Sequence, residues 1–489
     1  MKTVIVTDQS QGWFEVADAS VLTARNYLAD PEGANDGAAR VLNLCRTGRY
    51  QGRGYYVSLL AEARGQRPVP GVKTIEDLRF DGFMHALDAE LSPLLQEALP
   101  KDGSERFELD VYFGRHFSHQ ALAGQLFEKV RVPMLRAQFV RADGTWRIDA
   151  LNAMGLADIP LNDRALLLEA AKAFMAEGTG AKRPAEKKAG RPRLAILWDP
   201  KEDPRPSNDE ALQNLLKAAP QVGLDAELIE PDAMERLPEF DALFNRAGPE
   251  GVIYEFIRKA ETLGLPVVDD SESVLKCGNK VFMQELMNRH RIATPRTLIA
   301  HQGNLEEVIP ALGLPCVLKL PDSGFGLDVV KIESEEALRK EAERFFRKSE
   351  LIIAQEWLPS DFDWRVGIYD RRPLFVSKYY MAPGHWQVNK VVDGQVEVEG
   401  DHETLTVGET PELVIHTAVR AANLIGRGLY GADLKQVDGR IYLIEVNINP
   451  NIDAGVEDQV LGEALYREIL GVFARRIGES TGGAAQRAQ

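Results

Sequence analysis

The chain has 489 residues and a net charge of −16, with 74 Asp plus Glu against 58 Lys plus Arg. Hydrophobic residues at 44% and charged residues at 27% supply enough core for about three domains of roughly 150 residues, and exclude a wholly disordered chain. The acidic balance argues against nucleic acid or an anionic membrane surface as partner. No stretch approaches the roughly 18 uncharged apolar residues of a membrane span.

The opening MKTVIVTDQS lacks the basic-then-apolar profile of a signal peptide and reads as a strand. Cys45, Cys277 and Cys316 cannot all pair and lie far apart, which fits a reducing cytoplasm. Residues 1–175 are expected to form a first domain. Within it, GRGYY (Gly52–Tyr56) could recognise a partner or simply pack, and HFSH (His116–His119) lacks the further ligands of a metal site. Residues 176–192, AEGTGAKRPAEKKAGRP, have no apolar periodicity and read as a solvated linker.

Beyond the linker, strands RLAILW, AELI, FDALFNR and LPVVDD alternate with helices over Glu210–Ala219 and Tyr254–Leu263. That alternation predicts a small parallel α/β domain over 193–271. Residues 272–291 read as one helix, with Val274, Phe282, Leu286 and Met287 in apolar register. From Pro315 the texture changes. Strands PCVLKL, LDVVKI, LIIAQEW, WRVGIYD and PLFVSKYY, with a helix around Glu335–Arg347, predict antiparallel sheet. A helix from Pro411 to Leu424 leads to a last hairpin, ADLKQV–DGR–IYLIEVN. This last domain is expected over 272–478, with a central lobe at about 293–357, and residues 479–489 read as a frayed tail.

Three segments could carry chemistry. In VLKLPDSGFGLDVV, Lys319 ends an apolar strand and Gly324 and Gly326 let backbone amides approach a ligand, a combination suited to phosphate oxygens. An ordinary hairpin turn with an exposed lysine would look the same. No GK[ST] follows, so it is not a Walker loop. In the final hairpin, Glu445 and Asn447 are two residues apart and share a face. With Asp433 they would form an oxygen-only cluster suited to Mg²⁺ or Mn²⁺. A two-residue Asp-Gly loop pairs Val437 with Arg440 and turns Asp433 away from Glu445; a three-residue loop or a bulge brings it back. The third segment, IIAQEWL, could line a pocket, its main chain on a base edge and its acid on a ribose, or be a plain strand end. GRGLYG (Gly426–Gly431) follows a helix and precedes a strand, the reverse of a dinucleotide-binding turn.

In their order along the chain these segments resemble the ATP-grasp superfamily, and most closely the RimK-like carboxylate–amine ligases, over residues 193–478. The resemblance implies an α/β and α+β architecture. A small parallel α/β pre-domain and two α+β lobes clamping ATP would follow a separate α/β N-terminal domain of the RimK-like ATP-grasp type. GNKVFMQELM resembles the segment whose lysine, here Lys280, touches ATP phosphate. VLKLPDSGFG resembles the central strand and flap, placing Lys319, Gly324 and Gly326 on the phosphates. QEWL resembles the adenine hinge, giving Gln355, Glu356, Trp357 and Leu358. DWRVGI offers Asp363 to the ribose side and Arg365 to the transferred phosphate, and Asn389 falls near phosphate and metal. GADLK and EVNINPN resemble the metal-binding strand pair, with Asp433, Glu445 and Asn447 as ligands. Two stretches depart from the family: SKYY stands where two arginines are usual, leaving Lys378 as the only cation for ATP there, and INPN stands where small residues and a glycine are usual. Both border the acceptor site.

What the resemblance implies is a cytoplasmic, homo-oligomeric ligase using ATP with Mg²⁺ (or Mn²⁺), two ions in all. It would form an amide bond through an acyl phosphate, releasing ADP and phosphate. The carboxylate and amine would come from an amino acid such as glutamate and a peptide, protein tail or small molecule. The alternative is an inactive ATP-binding regulatory module, which the loss of a metal ligand or phosphate cation would mark; neither is lost here.

Overall fold

A computed structural model describes residues 3–9, 13–14, 16, 19–29, 39–176, 191–323, 328–392 and 395–485. Most of the expected linker, and Gly324 and Gly326, lie outside the described residues. The chain forms two compact units, Met1–Ala181 with Lys348–Glu350, and Lys182–Arg347 with Leu351–Gln489.

In the first unit the buried run TVIVT forms β1 (Thr3–Thr7), flanked in a parallel sheet by β2 (Ala19–Thr23) and β3 (Arg40–Asn43), with β4 (Arg67–Val69) beyond β3. A second, antiparallel sheet orders β5 (Arg106–Tyr112), β6 (Met134–Ala142) and β7 (Thr145–Ala153). Tyr55 and Tyr56 of the GRGYY segment are buried in the helix Arg53–Ala63, so both rings pack in the interior. Ser118 bridges the HFSH histidines, its N–H donating to His116 Nδ1 at 3.1 Å and its hydroxyl lying 2.9 Å from His119 Nδ1.

The second unit opens with β8 (Arg193–Leu197), β9 (Asp225–Ile229), β10 (Ala242–Asn245) and β11 (Val267–Val268), a parallel sheet in the order β11-β10-β8-β9. Two antiparallel sheets follow. One holds β12 (Thr297–Ala300), β13 (Cys316–Lys319), β14 (Val329–Ile332) and β15 (Ile352–Glu356) in the order β12-β15-β13-β14. The other contains β16 (Phe362–Tyr369) and β17 (Arg372–Tyr380). After a two-stranded ribbon of β18 (Asn389–Val392) and β19 (Gln395–Glu399), it adds β20 (His402–Leu405), β21 (Leu429–Val437) and β22 (Arg440–Ile448) in the order β20-β17-β16-β21-β22. The helix Glu463–Ala485 closes the parallel sheet: Leu465, Ile469, Leu470 and Phe473 bury against Leu194, Ile196 and Phe244. Of the expected frayed tail, 479–489, the part to Ala485 is helical, because a helix already nucleated by that packing extends at little further cost; residues 486–489 lie outside the described residues.

Residues 272–291 are not one helix but two, Ser271–Cys277 and Lys280–Arg289. The break has a local cause. The Asn279 side chain accepts from Val281 N at 3.0 Å and Phe282 N at 3.3 Å, capping a new helix instead of continuing the old one. Nearby, buried Asp269 accepts from Leu429 N at 2.9 Å and Asn449 N at 2.6 Å, so one carboxylate pins the start of β21 to the chain just past the end of β22. Burial pushes this carboxyl up to about 7. Asp269→Ala leaves both donors buried without an acceptor, at about 1–3 kcal/mol for each; chemical denaturation should show that loss of stability.

Candidate active site

Lys319 closes the buried strand β13. Strand alternation turns Cys316 and Leu318 into the lobe's own core and Lys319 toward neighbouring β15 residues. Its ammonium is buried and donates to Gln355 Oε1 at 2.8 Å, while Gln355 Nε2 donates to Thr297 Oγ1 at 3.0 Å. Burial, aided by Lys280 and Lys435, pushes the Lys319 amine down to about 8, with Glu445 opposing. Lys280 is the first residue of the helix capped by Asn279. Its backbone N–H donates to Pro321 O at 2.7 Å, its ammonium donates to the Ser323 carbonyl and lies 3.5 Å from Glu445 Oε2. Two lysines from separate segments therefore meet at the strand end that leads into the glycine loop.

The last hairpin settles the open question of register. Asp438 and Gly439 make a two-residue turn with φ of 50° and 74°, and Val437 does face Arg440. Asp433 nevertheless faces Glu445, because pairing steps from Asp433↔Glu445 to Leu434↔Leu443 and leaves Ile444 as a bulge. Arg365 of β16 stands opposite Asp433 on its other side and donates bidentately, Nε to Oδ1 at 2.7 Å and Nη2 to Oδ2 at 2.8 Å. Asn447 Nδ2 reaches Asp433 Oδ2 at 3.0 Å and Glu445 Oε1 at 3.2 Å. Burial opposes the charged form of Glu445, but Lys280 and Lys319 outweigh it and hold the carboxyl below its ordinary range. Two residues along each strand, Asp363 and Lys435 pair at 2.5 Å, and Lys435 also donates to Ser360 Oγ at 2.6 Å. The sequence reading overlooked Lys435, although in GADLK strand alternation places it on the face of Asp433.

Other expected residues are placed differently. The Glu356 carboxylate accepts from Arg296 N and Nε, both at 2.7 Å, so its oxygens are engaged by its own lobe instead of offered to a ribose. Lys378 stands opposite Trp364, which adjoins Arg365 and therefore points to the other face of the sheet. There it pairs with Glu403 at 3.0 Å and lies 5.3 Å from the Phe362 and Trp364 ring centres, on the opposite face from Arg365. Lys331 Nζ sits 4.3 Å from the Trp357 ring centre, and Leu358 is half-buried. Among the described residues, Asn389, which opens the ribbon, has its Oδ1 buried without a hydrogen-bond partner and makes no hydrogen bond to the hairpin cluster. Behind the hairpin, fully buried Arg246 donates to the Asn449 side chain and to Pro450 O (2.9 Å), fixing the chain after Asn447.

Between β13, β15, the capped helix and β22 lies a cavity of about 20 Å³, lined by Lys280, Met283, Lys319, Gln355, Leu443 and Glu445. That volume holds about one water. Admission of a nucleotide would require the two antiparallel sheets to part.

The residues of this arrangement fall within a stretch that matches a known family. Residues 277–462 match the RimK-like ATP-grasp domain and residues 24–170 the RimK-like ATP-grasp N-terminal domain. The chain thus carries a RimK-like ATP-grasp domain behind a RimK-like ATP-grasp N-terminal domain. A probable alpha-L-glutamate ligase of Vibrio vulnificus is 28% identical over 245 residues, covering 49% of this chain and 76% of the relative. A probable alpha-L-glutamate ligase 1 of Shewanella amazonensis is 29% identical over 231 residues, covering 46% and 73%. Among solved structures, a D-alanine–D-alanine ligase from Bacillus anthracis superposes with a TM-score of 0.46 at 15% identity, over 58% of this chain and 98% of that one. Among the described residues, no helix is long and apolar enough to cross a membrane.

The depressed Lys319 makes a signed prediction for this ATP-grasp site. The ammonium is charged below about pH 8 and loses its proton above it. ATP affinity measured by isothermal titration should therefore fall between pH 7.5 and 9.5. In Lys319→Arg, whose guanidinium keeps its charge, affinity should stay level over that range.

Proposed function

We propose that this ATP-grasp ligase uses ATP to activate a carboxylate as an acyl phosphate and joins it to an amine, with glutamate as one of the two substrates. The observation that carries the reading is the convergence of Lys280, Lys319 and Arg365 with Asp433, Glu445 and Asn447 around one point. The names of the curated relatives support glutamate.

A carboxylate and an ammonium do not condense at neutral pH, because the leaving group would be oxide. A carboxylate oxygen attacks the γ-phosphorus, the bond to the β-phosphate oxygen breaks, and ADP departs. The neutral amine then attacks the acyl carbon, and phosphate leaves in place of oxide. Lys280 and Lys319 would hold the phosphate oxygens, and Arg365, kept in orientation by Asp433, would face the transferring phosphoryl group. The donor set suits a hard cation. Asp433 and Glu445 present carboxylate oxygens, and turning the Asn447 amide, whose O and N are interchangeable by shape, adds a third oxygen. Mg²⁺ or Mn²⁺ held there supplies positive charge against the ATP phosphates. Three cysteines outside any disulfide, together with ATP as substrate, support a cytoplasmic location.

Phosphate release from Mg-ATP, screened against pools of amino acids and short peptides with mass spectrometry, tests this. Release should require one acid and one amine, with a product lighter than their sum by one water. Lys319→Ala and Glu445→Ala should each cut it roughly 10²-fold or more. Normal turnover by both variants would refute the assignment.

A further inference from the structure

A second concavity, of about 500 Å³, shares no lining residue with the nucleotide cavity. Arg291, His416, Arg420, Arg440 and Tyr442 line it, and no aspartate or glutamate does. Three separate elements deliver these side chains. Arg291 follows the helix Lys280–Arg289 and is held at a φ of 53°. His416 and Arg420 are one turn apart on the helix Glu412–Ile425. Arg440 begins β22 directly after the Asp438–Gly439 turn.

The charge distribution is the unusual feature. Several arginines in this unit are matched to acids, among them Arg236 to Glu227 at 2.7 Å, Arg344 to Asp328 at 2.7 Å and Arg365 to Asp433 at 2.7 Å, and buried Arg246 is satisfied by carbonyl and side-chain oxygens. Arg291, Arg420 and Arg440 are exposed, and none forms an ion pair among the described residues. The hydrogen bond Arg420 makes is to the His290 carbonyl at 3.3 Å. In a chain with net charge −16, three converging guanidiniums without an acid raise a local positive potential that the protein itself does not cancel.

We propose that this groove is an anion-binding site for a small ligand carrying at least two oxyanion groups, phosphate or carboxylate. Guanidinium forks match either group bidentately, and the Tyr442 hydroxyl and His416 ring add shorter-range hydrogen bonding. The volume lies in the range of small-ligand sites, roughly 300–1,000 Å³. The site also adjoins the nucleotide cavity through the backbone. Leu443 N, from a residue of that cavity, donates to the carbonyl of Ala293, a residue of the groove, at 2.8 Å.

Isothermal titration of the full chain at about 0.15 M NaCl with pyrophosphate and with tri-L-glutamate tests the site. Wild type is compared with Arg420→Gln/Arg440→Gln and, separately, Arg291→Gln. All three side chains are exposed, and unchanged thermal unfolding of the free variants verifies their folding. The double variant should lose at least tenfold in affinity for one probe while its ATP affinity is unchanged. Loss for pyrophosphate alone assigns a phosphate ligand, loss for tri-L-glutamate alone assigns a carboxylate ligand, and either supports the site. Three results overturn it: no binding of either probe by wild type at millimolar concentration, equal affinities in wild type and both variants, or a parallel tenfold loss of ATP affinity.

Discussion

The bulge at Ile444 is the constraint on which the rest of the centre depends. Continued in register from the Val437–Arg440 pair, the hairpin would set Asp433 against Ile444 and Glu445 against Ala432, with the two carboxylates on opposite faces of the sheet. One unpaired residue rotates the remainder of β22 by one step and brings Glu445 and Asn447 onto the face of Asp433, Arg365 and Lys435. The bulge is also clamped at a distance. Asp269 ties the start of β21 to Asn449, and Arg246 holds the Asn449 side chain and the Pro450 carbonyl, so the strand pair cannot slide back into plain register without stranding buried polar groups.

Charge balance follows from that geometry. Asp363, Asp433 and Glu445 sit against Lys280, Lys319, Arg365 and Lys435, so the cluster neutralises most of its own buried charge while keeping an excess of cation. Each cation proposed for the phosphates has a protein acceptor: Lys319 holds the Gln355 amide oxygen, Lys280 the Ser323 carbonyl and Arg365 the Asp433 carboxylate. Such pairing avoids the several kcal/mol that a bare buried charge costs. On the proposed reading, a polyanionic ligand would exchange the Gln355 and Ser323 acceptors for phosphate oxygens while Asp433 keeps its hold on Arg365, so binding would bury no new charge uncompensated.

How much of this was legible in the sequence depended on the range of the cause. A lysine ending an apolar strand ahead of two glycines pointed to Lys319, and alternation along EVN put Glu445 and Asn447 on one face, because both signals are written into consecutive residues. The parallel and antiparallel blocks were legible from the order of elements, strands alternating with helices in the first and strands in close succession in the second. The bulge was not, since nothing in LKQVDGRIYLIEV marks Ile444 as the residue without a partner; Asp433 could only be left as a question of register. Asn279 was read as mid-helix because its apolar neighbours keep helical spacing across the break. Glu356 and Lys378 looked available in sequence, but their engagement with Arg296 and Glu403 comes from residues 60 and 25 positions away. Lys435 could have been found, since it lies two residues beyond Asp433 on the same face.

The central claim is that Asp433, Glu445 and Asn447 form one divalent-cation site shared with ATP phosphates. Its most direct test is electron paramagnetic resonance titration of Mn²⁺ onto the protein saturated with a non-hydrolysable ATP analogue. Wild type should bind Mn²⁺ with loss of the free six-line signal. Asp433→Asn and Glu445→Gln should each weaken that binding about tenfold or more while still binding the analogue. Undiminished Mn²⁺ binding by both variants would contradict the account.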